Sequence, residues 1–386
     1  MDVFETARLG PLTLRNRVIK AATFEGMAPE SLVTDELIEY HRRPAAGGVG
    51  MTTVAYCAVS PEGRTERGQI WMRPEAVSGL RRLTDAVHAE GAAASAQLGH
   101  AGPVADASSN KLPAISAGRF FNPLGMAFTK VATADDIARI TRAHADAARL
   151  AIESGFDAVE IHFGHNYLAS SFLSPRLNKR RDGYGGPIEN RAKVALGIAR
   201  AVRDEVGDRI AITAKLNMRD GVRGGLEIDD SLYVARALQD DGTVDALELT
   251  AGSSLLNPMY LFRGEMPIPE FAAGYKLPMR VGLRMFGKRF LRVYPYQDAY
   301  LLEHARRFRA ELDLPLVLLG GITTRETMDK AMEEGFQFVA MARALLREPD
   351  LVNRIAADPS TPSLCIHCNR CVPTIYKGTH CPLIPA

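Results

Sequence analysis

Short apolar runs punctuate this chain, and most are followed by a longer segment whose apolar positions recur with helical periodicity. The runs cover 17–22, 50–56, 92–97, 157–162, 209–216, 244–249, 315–320 and 336–341, and each reads as a strand. Among the helical segments, 133–154 carries Thr133 and Asp136 at capping-box spacing, and 187–206 opens on a proline. Eight strand-helix units in one chain of 386 residues predict a single-domain (β/α)8 TIM barrel rather than an open doubly wound sheet. The barrel is expected over 1–355, with a long insertion at 253–297 after the sixth strand. A Cys-rich tail at 356–386 follows it.

A barrel gathers its chemistry at the C-terminal ends of the strands, so side chains just after each run are the candidates. Gln97 ends the third strand, His162 the fourth, and Lys215 lies near the end of the fifth; Gly320 and Gly321 end the seventh, and Arg343 follows the eighth. The stretch VEIHFGHNYL at 159–168 adds His165 and Tyr167. Two histidines at this spacing could ligate zinc, but the H-E-x-x-H pattern is absent and no third ligand is indicated nearby. The competing readings are core histidines satisfied by backbone and a proton-handling site.

Composition narrows the function. Apolar residues make up 46% of the chain, enough for a large core, and 47 basic against 45 acidic side chains leave no field suited to nucleic acid. No apolar run reaches the roughly 18–20 residues that span a bilayer, and the charged N-terminus does not suit a signal peptide, so a cytoplasmic location is expected. A small-molecule substrate fits these numbers best; the oligomeric state is open, a homo-oligomer included.

Several motifs resemble the Old Yellow Enzyme group of FMN-dependent NAD(P)H:flavin oxidoreductases, over nearly the whole chain. They are LRNRVIKAATFE (14–25), VSPEGR (59–64), AQLGHAG (96–102), the long GFDAVEIHFGHNYLASSFLSPRLNKRRDGYGGPIENR (155–191), LGGITT (319–324) and ARALLREPDL (342–351). The resemblance implies a non-covalent FMN across the barrel mouth. Ala21, Ala22, Thr23, Phe24 and the Tyr56 backbone would line its ring system, and Gln97 would bond its pyrimidine edge. Lys215, where the family usually has arginine, would stabilise the anionic reduced ring. Gly320, Gly321, Ala342 and Arg343 would hold the phosphate. His162 and His165 fall on the family's paired carbonyl donors and Tyr167 on its proton donor. The implied activity takes hydride from NAD(P)H and reduces the C=C bond of an α,β-unsaturated carbonyl compound. A dehydrogenase or demethylase running oxidatively is the alternative, as is a flavin-binding barrel without turnover.

Two segments extend the picture. Lys276, Arg280, Arg284, Lys288 and Arg292 recur every four residues without an acidic neighbour, which predicts a basic amphipathic lid, interface or membrane-surface helix, or a site for an anionic substrate group. In the tail, Cys365, Cys368, Cys371 and Cys381 are spaced C-x2-C-x2-C-x9-C. Four thiols within so short a span could surround a [4Fe–4S] cluster or zinc, and cluster-bearing relatives of this family have a similar segment after the barrel.

Overall fold

The computed structural model describes residues 1–122, 125–275, 277 and 279–384. Eight parallel strands close into a barrel: β1 (Val18–Lys20), β2 (Met51–Ala58), β3 (Ala93–Gly99), β4 (Ala158–Phe163), β5 (Ala211–Asn217), β6 (Ala246–Thr250), β7 (Leu316–Leu319) and β8 (Phe338–Met341). Each pairs with its neighbour in sequence, and β8 closes on β1 with Met341 opposite Lys20. Every expected strand is present, with boundaries shifted by two residues or fewer.

Alternation along each strand sorts its side chains between two cores. Val159, Ile161 and Phe163 of β4, like Ile212, Ala214 and Leu216 of β5, pack outward into the layer shared with the helices. The opposite faces of the same strands point into the barrel. At its lower end Ala158, Ala211 and Ala246 lie on three successive strands, and their small side chains leave room for Ile19, Met51 and Phe338. A hairpin of Ala7–Leu9 and Leu12–Leu14 plugs this end with Leu9 and Leu14, both almost fully buried. Its turn uses Gly10 at φ +55°, where a Cβ would fall 2.6 Å from the Asp245 carboxyl carbon.

The helix Ala134–Glu153 begins with the expected box, Thr133 accepting from the Asp136 amide at 3.1 Å while Asp136 accepts from the Thr133 amide at 2.9 Å. The expected helix at 187–206 is two, Ile188–Arg191 and Lys193–Val206, after Pro187 at the N-cap.

The insertion folds into three helices, Met259–Phe262, Ile268–Ala273 and Met279–Phe290. Lys276, expected in its basic face, lies outside the described residues. Arg280, Arg284, Lys288 and Arg292 are exposed. The tail crosses the barrel mouth: Asn369 donates to the Arg263 and Glu265 carbonyls, and the Thr379 amide donates to the Glu25 carbonyl at 2.8 Å. No helix among the described residues is long and apolar enough to cross a membrane.

Truncating Leu9 tests the plug. Leu9→Ala should lower stability by about 3 kcal/mol, the usual cost of a cavity left by a buried leucine. Denaturant unfolding checks this, and cofactor affinity at the opposite end of the barrel should not change.

Candidate active site

The C-terminal ends of the strands open into a cavity of about 330 Å³. Of the residues expected at the site, Ala21, Ala22, Thr23, Phe24, Tyr56, Gln97, His162, His165, Tyr167, Lys215, Ala342 and Arg343 all line it. Its roof comes from the insertion and the tail, through Phe271, Tyr275, Leu283, Phe290, Ile375 and Tyr376. A lid was among the roles expected of the insertion, but which of its apolar residues face inward was not legible, because nothing local shows which face of a lid helix turns toward the barrel.

His162 reaches the cavity because alternation on β4 turns it to the same side as Ala158 and Glu160. His165 and Asn166 adopt left-handed backbone, at φ +59° and +60°, and this bend brings His165 and Tyr167 back toward His162. The ring centroids stand 5.1 Å apart for His162 and His165, and 4.6 Å apart for His162 and Tyr167. A buried carboxylate holds the bend. Asp220 accepts from Asn166 at 3.1 Å, Asn217 at 3.0 Å, the Leu226 amide at 2.8 Å and Ser174 at 2.6 Å, while Asn217 accepts from the His165 amide at 3.2 Å.

Both imidazoles are neutral. Burial, then the neighbouring His165 ring and the Lys215 ammonium, push His162 well below the ordinary histidine value; burial and Lys215 push His165 down to about 3. Each ring therefore has one N–H to give. His165 Nε2 lies 2.9 Å from the Thr250 hydroxyl, whereas His162 Nδ1 is buried with no partner. An unpaired buried ring nitrogen costs about 1–3 kcal/mol unless a ligand supplies its partner. Burial raises Tyr167, offset in part by the Thr65 hydroxyl, so the phenol keeps its proton.

Lys215 is enclosed, with Glu160 Oε1 at 3.2 Å and Glu248 in close contact. Burial alone would lower its pKa, but the two carboxylates outweigh it and the ammonium is held above its ordinary value. Burial, reinforced by the Glu160 charge, raises Glu248. A second buried cluster lies behind the Ala21–Phe24 segment, where Glu25 accepts from the Ala55 amide at 2.7 Å and meets His41 Nε2 at 2.9 Å. Burial raises Glu25 to about 8. Neither carboxylate group was anticipated, although Glu160 stands two residues before His162 in the strand sequence, at the spacing that puts both on one face.

At three expected positions the structure shows contacts that the sequence does not reveal. Gly320 and Gly321 do not line the cavity; with φ of +99° and +79° they pack against Tyr300, Leu301 and the 297–299 backbone, which accounts for glycine there. Arg343 lines the cavity, but its guanidinium donates to the Asn369 side chain and, at 2.8 Å, to the Phe262 carbonyl. Cys365, Cys368, Cys371 and Cys381 all line one small cavity beside Arg343 and Arg347, yet among the described residues no three His, Cys, Asp or Glu side chains are grouped to hold a metal ion. Cys365 Sγ instead lies 3.9 Å from His367 Nδ1, and burial raises the Cys371 thiol to about 11, so it stays protonated.

Polar groups collected at the C-terminal mouth of a parallel barrel mark a (β/α)8 enzyme. The sequence profile of the NADH:flavin oxidoreductase / NADH oxidase family matches residues 2–252. The chain belongs to that family, the Old Yellow Enzyme family, and is an NAD(P)H-dependent flavin oxidoreductase whose cofactor is FMN. It is 52% identical over 380 residues to 4,4'-dithiodibutanoate disulfide reductase of Rhodococcus erythropolis, covering 98% of this chain and 94% of that one. Its fold is similar to 2-naphthoyl-CoA reductase, with a TM-score of 0.82, 23% identity and coverage of 96% of this chain and 54% of that one. It is also similar to the old yellow enzyme homologue from Zymomonas mobilis, with a TM-score of 0.74, 22% identity and coverage of 99% and 98%.

Neutral buried histidines make stability depend on pH. His144, pushed down to about 4 chiefly by burial, and His165 stay unprotonated where the unfolded chain takes up protons near 6.5. Their contribution is therefore complete above pH 6.5 and is lost as pH falls toward 4, at up to about 1.4 kcal/mol per pH unit for each group. Glu25 and Glu248, raised by burial, act in the opposite sense over this range, so the test is a difference: between pH 7.5 and 5, denaturant unfolding should show His144→Gln losing less, or gaining more, stability than the parent.

Proposed function

We propose that the chain uses NAD(P)H to reduce the C=C bond of α,β-unsaturated carbonyl compounds. The observation that carries this reading is the grouping of two neutral imidazoles and a protonated phenol on one cavity, with His162 Nδ1 buried and unpaired. Bound FMN would supply the two-electron carrier between the nicotinamide and the substrate. The cavity suits it: Ala21 to Phe24 and Tyr56 offer an apolar bed, while Gln97 and Lys215 offer an amide and a cation.

The protein's own part is to hold the carbonyl and move a proton. His162 and His165 donate to the carbonyl oxygen, stabilising the negative charge that grows there as hydride adds at the β-carbon. Neutral donors suit this task, since a charged imidazolium would give up its proton too early. Tyr167 supplies the proton to the α-carbon, completing the addition of one hydride and one proton. The apolar roof excludes water and favours substrates with a bulky hydrocarbon portion.

Reduction of organic disulfides is a second reading, favoured by the 52% identity with the dithiodibutanoate reductase along nearly both whole chains. Hydride addition to one sulfur breaks the S–S bond and expels a thiolate; Tyr167 protonates it, and one hydride plus one proton give two thiols.

The parent enzyme, reduced anaerobically with NADPH or NADH, should be reoxidised by 2-cyclohexenone faster than by 4,4'-dithiodibutanoate; the reverse order selects the second reading. His162→Ala should slow enone reduction by about 100-fold and weaken phenol binding, the loss of one preorganised donor being worth on the order of 3 kcal/mol. Tyr167→Phe should retain phenol binding but slow the proton-dependent half-reaction. Parent rates in both variants would remove these roles.

A further inference from the structure

Inside the barrel, neighbouring strands each contribute one polar side chain to a single layer: Gln97 from β3, Glu160 from β4, Lys215 from β5 and Glu248 from β6. Each is 4% exposed or less. Glu160 is the hub. Its Oε1 accepts from Gln97 Nε2 at 2.6 Å and lies 3.2 Å from Lys215 Nζ, while its Oε2 lies 3.4 Å from the same ammonium. Glu248 bonds Lys215 and, among the described residues, makes no hydrogen bond to Gln97.

An ionised carboxylate can only accept hydrogen bonds. Facing one, Gln97 must turn its NH2 group toward Glu160, and its carbonyl oxygen is what remains for the cavity it lines. Beside it Lys215, which also lines the cavity, can only donate. The floor thus has a fixed polarity, an acceptor next to a donor, where an unrestrained glutamine could present either end.

We propose that Glu160 is a positioning residue that fixes this polarity, and that the acceptor–donor pair selects a ring edge with an N–H beside a carbonyl, the imide edge of the flavin. The inference rests on the reading that FMN lies across this floor. The imide N–H meets the Gln97 oxygen and the adjacent ring carbonyl meets Lys215. Glu248 shares the charge of Lys215 but has no part in orienting the amide.

That difference supplies the test. Glu160→Gln and Glu248→Gln each replace a carboxyl group beside the same lysine by an amide, but only the first frees Gln97 to rotate. Affinities for FMN and for 3-methyl-FMN, which lacks the imide N–H, are measured by flavin fluorescence on apo-protein whose fold is checked by circular dichroism. The parent and Glu248→Gln should prefer FMN by about tenfold, the worth of one buried hydrogen bond. Glu160→Gln should lose most of that preference. An unchanged preference in Glu160→Gln, or an equal loss in both variants, overturns the proposal. Should Glu160→Gln not fold, Gln97→Met, which removes the acceptor and keeps both carboxylates on Lys215, must abolish the preference instead. A parent that binds FMN but not in preference to 3-methyl-FMN overturns the inference alone, whereas a parent that binds neither removes the flavin placement and the inference with it.

Discussion

An ammonium shut inside a β-barrel has to be neutralised where it stands, and Lys215 is such a group. Moving an ion of this size out of water costs several kcal/mol even after the protein relaxes, and only close, well-directed partners offset the cost. Here the partners come from the strand before, through Glu160, and the strand after, through Glu248. The register of three strands is therefore tied to one charge. A slip of one residue would turn each of these side chains to the outer face, among the aliphatic residues under the helices. The layer that fixes the register also carries the cavity floor, so fold and site share one constraint.

Above that layer the construction changes. The His162–His165–Tyr167 group is held by a bent loop around Asp220, and the roof is built from segments that follow the sixth and eighth strands. The inner surface of the helix Met279–Phe290 sends Met279, Leu283 and Phe290 to the cavity. Its outer surface leaves Val281, Met285 and Phe286 exposed among basic residues. The floor is thus polar and built on strands, and the roof largely apolar and built on helices and the tail.

The barrel was legible in the sequence because its strands are apolar runs separated by helical periodicity, a pattern that depends only on local order. The mouth residues were legible for the same reason: once the strands were known, His162, Gln97 and Lys215 could only stand at their ends. What could not be read locally was partnership. Glu160 and Glu248 are ordinary acidic residues until β4, β5 and β6 are placed side by side, and Asp220 has meaning only once four donors from separate segments surround it. Arg343 shows the same limit: its position at the end of β8 is legible, but Asn369, 26 residues further along, takes part of its hydrogen-bonding capacity. The glycines after β7 have a steric explanation that a phosphate-loop motif shares, and composition alone does not separate the two.

The stitching of the tail has a consequence for the order in which the molecule is completed. Synthesis delivers the loop at Ala21–Glu25 first and the strip at Asn369–Thr379 more than three hundred residues later, yet the two form adjoining walls of one chamber. Strand pairing is finished once β8 meets β1, so the barrel is closed by residues that all precede the tail, and the cover over its mouth is made from chain that follows them. Whatever lies on the barrel floor is thus enclosed by a segment that the barrel itself does not need for closure.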